Sequence, residues 1–295
     1  MTSPSLRDYA ELVLLSAIWG SSFLFLRVSA PILGPAFLIE MRVLSALLVL
    51  LPICIFMGKH REALANWKLI FLVSLTNMSI PFCLLAYASM SIGAGVTSVL
   101  NSTVPFFAAI IAFVFWSQRM TLTSILGLIL GFSGVVVLVL GPSSESSLAS
   151  DGKAIRAGIA AAMFYGTAVN ITANKLQGIS GLSITVGSLF CASLCLAPFA
   201  VYSVPEEMPS QSIWLSVIAL GVLCTGVAYL MFYRLIAKVG PHRAITSTFM
   251  IPLFSIVWGA IFLGETITIY MIAGCVLVLF GVAMTTGFIS RFNAS

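Results

Sequence analysis

Few side chains in this sequence can hold a charge inside its apolar runs, and chemistry would start with those few. Arg42 lies about 10 Å into a run that opens near Pro35, at 1.5 Å per helical residue. A cation at that depth is costly unless it serves a ligand or a partner. Arg42 can attract a carboxylate or a phosphate, or it can pair with Glu40 or Glu265 near the membrane surface. Arg27 and Lys175 fall at nearly matched positions toward opposite faces. They read as gate cations or as side chains reaching out to the interface. Glu40 and Glu265 lie near the ends of their runs. With no Asp or Glu at mid-run, exchange or facilitated diffusion is favoured over a proton cycle run by a carboxylate.

Polar groups at mid-depth form a second set. A proline inside a helix leaves the carbonyl four residues earlier without its partner. Pro81 frees the carbonyl of Asn77, Pro105 that of Asn101 and Pro252 that of Thr248, so all three are expected helix breaks. In hydrocarbon such groups are met by neighbours or line a cavity. Ser102, Thr103, Thr246 and Ser247 add hydrogen-bonding capacity beside them. Trp19, Tyr87, Tyr165 and Tyr229 offer an apolar ring with a polar tip, and Asn170 follows Tyr165 on the same run. Asn77, Asn101, Asn170, Thr248 and these four aromatics make up the expected substrate-binding set, around a cavity floored by both halves. The alternatives are kinks that serve packing and aromatics that anchor at the interface.

The elements that would position these groups are membrane helices. The chain has 295 residues, 60% hydrophobic and 8% charged, with a mean hydropathy of +1.13. Soluble domains carry about 25% charged residues. Ten runs are long enough to span a bilayer, near 11–28, 33–57, 69–90, 94–116, 121–140, 154–174, 181–203, 212–234, 242–263 and 267–288. Their apolar residues surround each run rather than alternate, so helices are expected and not barrel strands.

The second half repeats the first. At an offset of 147 residues, Trp67, Gly93, Pro105, Phe107, Gly127 and Gly134 meet Trp214, Gly240, Pro252, Phe254, Gly274 and Gly281. Trp19-Gly20 meets Tyr165-Gly166 at 146. Five spans per half is an odd number, so the second half enters the membrane upside down. The expected fold is an all-α membrane protein of ten transmembrane helices, arranged as two inverted five-helix repeats around a central cavity. Residues 1–140 form the first repeat, 141–153 a polar linker and 154–295 the second repeat. With both termini in the cytoplasm, ten of the fourteen Lys and Arg residues fall on the inner side, as the positive-inside rule requires.

Composition excludes other classes. The net charge of +5 is too diffuse for a nucleic-acid footprint. The six cysteines lie in apolar runs without the spacing of a metal or redox motif. No HExxH or GxSxG motif is present, and no cofactor is implied. The small-residue face of Gly127, Gly131 and Gly134 packs against a neighbouring helix or, less readily, a second copy. A monomer or weak homodimer in the bilayer is expected.

Several segments together resemble the EamA family of the drug/metabolite transporter superfamily. They are Ile18-Trp19-Gly20-Ser21-Ser22-Phe23, Arg42-Val43-Leu44-Ser45-Ala46, the run from Val99 through Pro105 to Met120, and Pro252 through Leu263-Gly264-Glu265 to Gly281-Val282. Trp116-Ser117-Gln118 departs from the family's Leu-Gly-Glu in the first copy. The resemblance implies an inner-membrane carrier working by alternating access, not an enzyme. It would export small metabolites, amino acids or related compounds first. Efflux of drugs or hydrophobic cations is the alternative, and a sugar-phosphate or nucleotide-sugar exchanger stands behind it.

Overall fold

The computed structural model describes residues 6–141, 148–240, 244 and 247–287, and every regular element among them is helical. The expected runs appear as α1 (Leu6–Leu33), α2 (Pro35–Phe56), a short α3 (His60–Ala65), and α4 (Trp67–Ser74) continuing through a π-helical stretch (Leu75–Ser79) into α5 (Ile80–Ser89). Next come α6 (Ala94–Asn101), α7 (Val104–Trp116), α8 (Leu122–Leu140), α9 (Leu148–Lys175) and α10 (Gly181–Tyr202). The third run of the second half is α11 (Gln211–Ile218), a π stretch (Ala219–Val227) and α12 (Ala228–Val239). The chain then forms α13 (Ser247–Leu263) and α14 (Ile269–Thr285). Eight of these segments are long and apolar enough to cross a membrane, and α13 and α14 are shorter apolar helices. α9 begins at Leu148, within the expected linker 141–153. Residues 142–147, Arg243, Thr246 and Arg291 lie outside the described residues.

The prolines act differently from one another. Pro81 follows the first π stretch, where the Ile80 amide donates to the Leu75 carbonyl five residues back. Widening the helix by one residue accommodates a proline that would clash with the fourth carbonyl back. Pro105 goes further: the run breaks at Ser102-Thr103, and α7 restarts with the proline in its first turn. Pro252, its repeat-mate, stays inside the continuous α13. The expectation that this matched pair interrupts both helices is therefore corrected. The second π stretch contains no proline. There Thr225 Oγ1 donates to the Leu220 carbonyl, also five residues back.

Contacts in one half recur in the other. A Cβ on Gly20 would lie 2.7 Å from the Phe254 Cβ, and one on Gly166 would lie 3.0 Å from the Phe107 Cβ. Both pairs are repeat-mates, so α1 packs on α13 as α9 packs on α7. The fifth helices of the two halves, α8 and α14, pack together. A Cβ on Gly127 would come within 2.7 Å of the Gly281 carbonyl oxygen, and one on Gly134 within 2.9 Å of that of Gly274. The glycine face is thus filled within the chain. Between the halves, α2 lies against α10 and the second π stretch, over a buried core that includes Leu38, Val43, Leu50, Leu189 and Leu220.

Candidate functional site

Arg42 occupies the junction of the halves. It is 7% exposed, on the face of α2 turned toward α5 and the second π stretch. Gly221 allows that approach: a Cβ there would sit 2.6 Å from the Arg42 carbonyl oxygen. The guanidinium Nε donates to Thr225 Oγ1 at 3.1 Å. Its carbon lies 3.8 Å from the centroid of the Phe82 ring, a cation–π contact. Tyr165, Tyr229 and Cys224 are close enough to interact with its charge. No carboxylate among the described residues pairs with it. Taking an arginine out of water without a counter-ion is costly.

Around it the side chains come from both halves. Phe82 and Tyr165 meet at 6.3 Å between ring centroids. Trp19 stands edge-on to Tyr229 at 6.2 Å and packs on Phe232 at 5.2 Å. Tyr229 leans on Tyr233, whose hydroxyl donates to the Gly181 carbonyl and bonds Thr185. Asn77, within the first π stretch, lies near the Tyr229 hydroxyl. Ser21 Oγ and Cys224 Sγ lie 3.5 Å apart, next to Thr225. Both π stretches therefore supply the cluster, Asn77 from one and Thr225 from the other, in keeping with the association of such turns with functional sites.

Of the residues expected at the site, Trp19, Asn77, Tyr165, Tyr229 and Arg42 converge here. Pro81 serves it indirectly, through the π stretch that precedes it. Asn101 ends α6 at the helix break made by Pro105, and its Oδ1 is buried without a partner. Thr248 is half-buried in the first turn of α13 and already has a partner. Three expectations are corrected. Asn170 spends both amide hydrogens on the carbonyls of Ala108 (2.8 Å), which ties α9 to α7, and of Gly166 (2.9 Å) within α9 itself. Tyr87 is 43% exposed on α5 and stands outside the cluster. Neither expected acid neutralises Arg42. Glu40 is buried and accepts from Ser193 Oγ at 2.6 Å on α10. Glu265 accepts from the Ala94 and Gly95 amides at 2.8 and 3.5 Å, at the N-terminus of α6.

The ends of the bundle are held by groups that sequence reasoning passed over. Where α1 begins, Asp8 pairs with Lys238 at 2.5 Å, and Glu11 with Arg234 at 3.2 Å and Arg7 at 3.4 Å. These pairs join α1 to α12. On the same end Glu62 accepts from Lys59 Nζ, the Ser180 amide and Ser183 Oγ, which fixes α3 to the start of α10. Its carboxyl is held down at about 2 by the Lys59 bond first, then by the Ser180 and Ser183 bonds. At the opposite end Glu265 joins the α13–α14 turn to α6. The expected gate cations behave otherwise: Arg27 donates to the carbonyls of Ser89 and Met90 within its own half, and Lys175 is exposed. The acid partners carried the missing signal, because Asp8 and Glu11 precede the first apolar run at helical spacing.

An open groove of about 480 Å³ runs between α1, α11 and α13, lined by Ser21, Leu24, Phe25, Ser216, Trp258 and Phe262 among others. It is largely apolar, and neither Arg42 nor Tyr165 nor Tyr229 lines it. Among the described residues no group of His, Cys, Asp and Glu side chains has the arrangement to hold a metal ion.

Comparison with known proteins agrees with this architecture. The profile of the EamA-like transporter family matches twice, over residues 9–140 and 152–287. An uncharacterized transporter from Archaeoglobus fulgidus is 28% identical over 284 residues, covering 94% of this chain and 98% of its own. A probable terminal-alkyne amino-acid exporter from Streptantibioticus cattleyicolor is 24% identical, with 92% of this chain and 91% of that one covered. A crystal structure of a protein 19% identical superposes with a TM-score of 0.64, covering 96% of this chain and 99% of that one, a likeness of fold alone. With a family profile filling both halves, the chain belongs to the EamA-like transporter family, whose members are multi-span membrane transporters and not enzymes.

Proposed function

We propose that this protein is a secondary transporter that exports small amphipathic metabolites, amino acids and related compounds first among them, by alternating access. The observation that carries the proposal is Arg42. It is a buried guanidinium without an acid partner, enclosed by polar and aromatic side chains from both halves. A site built across the junction of two moving units is what alternating access requires.

The recurring contacts Gly20–Phe254 and Gly166–Phe107 support a chain of ten helices in two inverted five-helix repeats, with 1–140 and 154–295 as the repeats. The excess of Lys and Arg on one set of loops supports cytoplasmic termini and an inner-membrane location. The ion pairs at the α1 end and the Glu265 contact at the other are candidates for closures that alternate. Saturable carriage of a small solute through the bilayer needs no further partner. The amino-acid exporter among the relatives supports the substrate class. Efflux of hydrophobic cations fits less well, because Arg42 would repel them. A sugar phosphate brings two negative charges to a cluster with one cation.

The test is a thermal-shift screen of the purified protein in detergent. Ligands that bind only the folded state raise its melting temperature by mass action. Amino acids and related acids are expected to shift it. A shift confined to hydrophobic cations turns the reading to drug efflux.

A further inference from the structure

We infer that the Arg42 cluster selects its solute by a carboxylate and disfavours a free ammonium group, so that among amino acids and related compounds it holds best those whose amino group is masked, amphipathic monocarboxylates of net charge −1. The inference rests on the reading that this cluster is the transport site.

A guanidinium has five N–H donors in one plane. In Arg42 the Nε hydrogen goes to Thr225, and one face lies against Phe82. The four hydrogens on the terminal nitrogens have no acceptor among the described residues. Terminal N–H groups of this kind bind a carboxylate with two parallel bonds. The charge balance limits the ligand further. A phosphate dianion would need a second cation. Arg27 is committed to backbone carbonyls at one end, and Arg234 and Lys238 to acids at the other.

An ammonium would need an anion, and among the described residues none faces the cluster. Asp8 faces Lys238, Glu11 faces Arg234, Glu62 faces Lys59 and Glu265 caps α6, while Glu40 is turned to α10, where one carboxylate oxygen accepts from Ser193 and the other is buried without a partner. Glu206 and Glu207 are exposed in the loop after α10. A zwitterion therefore brings its positive group toward Arg42 without compensation, whereas a monoanion cancels the Arg42 charge. Tyr165, Tyr229, Trp19 and Phe82 offer ring faces suited to an apolar or aromatic body.

The experiment measures binding to the wild-type protein in detergent, at mildly acidic pH, for three probes that share one aromatic side chain and differ in charge: N-acetyl-L-phenylalanine, L-phenylalanine and L-phenylalanine methyl ester. Affinity is expected to fall in that order, by about tenfold at each step. Arg42→Gln should remove the order, and Arg42→Lys should keep it at lower affinity. The wild-type series needs no variant to fold. The inference is overturned if the ester or the zwitterion binds as tightly as the acetylated acid, or if none of the three binds. Saturable flux of another solute in proteoliposomes would then leave the transport reading standing. Binding in the expected order without flux of any solute would remove the transport reading instead.

Discussion

Neutralising Asp8 should open the end of the bundle at which α1 begins. In the Asp8–Lys238 pair the oxygen and nitrogen are 2.5 Å apart, with the Asp8 side chain 5% exposed and that of Lys238 41% exposed. Exposed pairs contribute at most about 1 kcal/mol, and breaking a fully buried one costs about 3–5 kcal/mol. A pair with one buried and one solvated partner falls near the lower bound, at about 1–2 kcal/mol. If the pair exists only while α1 and α12 are together, Asp8→Asn shifts the closed-to-open ratio by about 5- to 30-fold. Beneath it Leu15 is fully buried against Leu235 and Ala244. A Leu15→Cys reporter, in a background without the native cysteines, should then react with a water-soluble maleimide faster by about that factor. Exchanging the charges, Asp8→Lys with Lys238→Asp, should slow the reaction again. Unchanged labelling in Asp8→Asn, or no recovery on exchange, would refute the view that this pair closes that end.

Two further predictions concern packing and pH. A Cβ on Gly281 would lie 2.6 Å from the Gly127 carbonyl oxygen and the Gly131 nitrogen, backbone atoms that cannot rotate away, whereas one on Gly226 would meet Val49 side-chain atoms at 3.4 Å and the Gly221 carbonyl oxygen at 3.7 Å, ordinary contact distances. Gly281→Ala should therefore cost about 1–3 kcal/mol, while Gly226→Ala should be neutral or stabilising by up to about 1 kcal/mol. Unfolding midpoints in detergent compare the two, and a change of oligomeric state in Gly281→Ala at unchanged stability would mean that the glycine face meets a second copy. The Glu62 carboxyl sits at about 2, below its ordinary value of 4.5, so its contribution to stability is present above pH 4.5 and is lost as pH falls toward 2. Glu62→Gln should lower the melting temperature near neutral pH, and its difference from wild type should vanish on acidification; a difference that persists at the acid end contradicts the assignment.

The helices were legible because bilayer-length apolar runs leave the backbone few alternatives. Arg42 was legible as a cation in the wrong solvent. Part of its surroundings was not, since Thr225 and Phe82 arrive from other helices and their sequence positions carry no sign of convergence. The π stretches were invisible for a similar reason: one precedes Pro81, but the other contains no proline and lies in an otherwise ordinary apolar run. Asn170 misled because an asparagine deep in a span looks like a ligand group, although two nearby carbonyls were enough to occupy it. Pro105 and Pro252 look alike in sequence, yet only the first breaks its helix. The charges at the end of the bundle were overlooked because Asp8 and Glu11 lie before the first apolar run, where charged residues look like plain surface.

The central claim is carriage of an amphipathic solute through the Arg42 cluster, and solute counterflow in proteoliposomes tests it most directly. Vesicles loaded with unlabelled N-acetyl-L-phenylalanine or L-phenylalanine should transiently accumulate the same labelled solute, saturably, and Arg42→Gln should abolish this while still reconstituting. Labelled solute that enters no faster than in empty vesicles, or that enters equally well through the Arg42→Gln protein, contradicts the account.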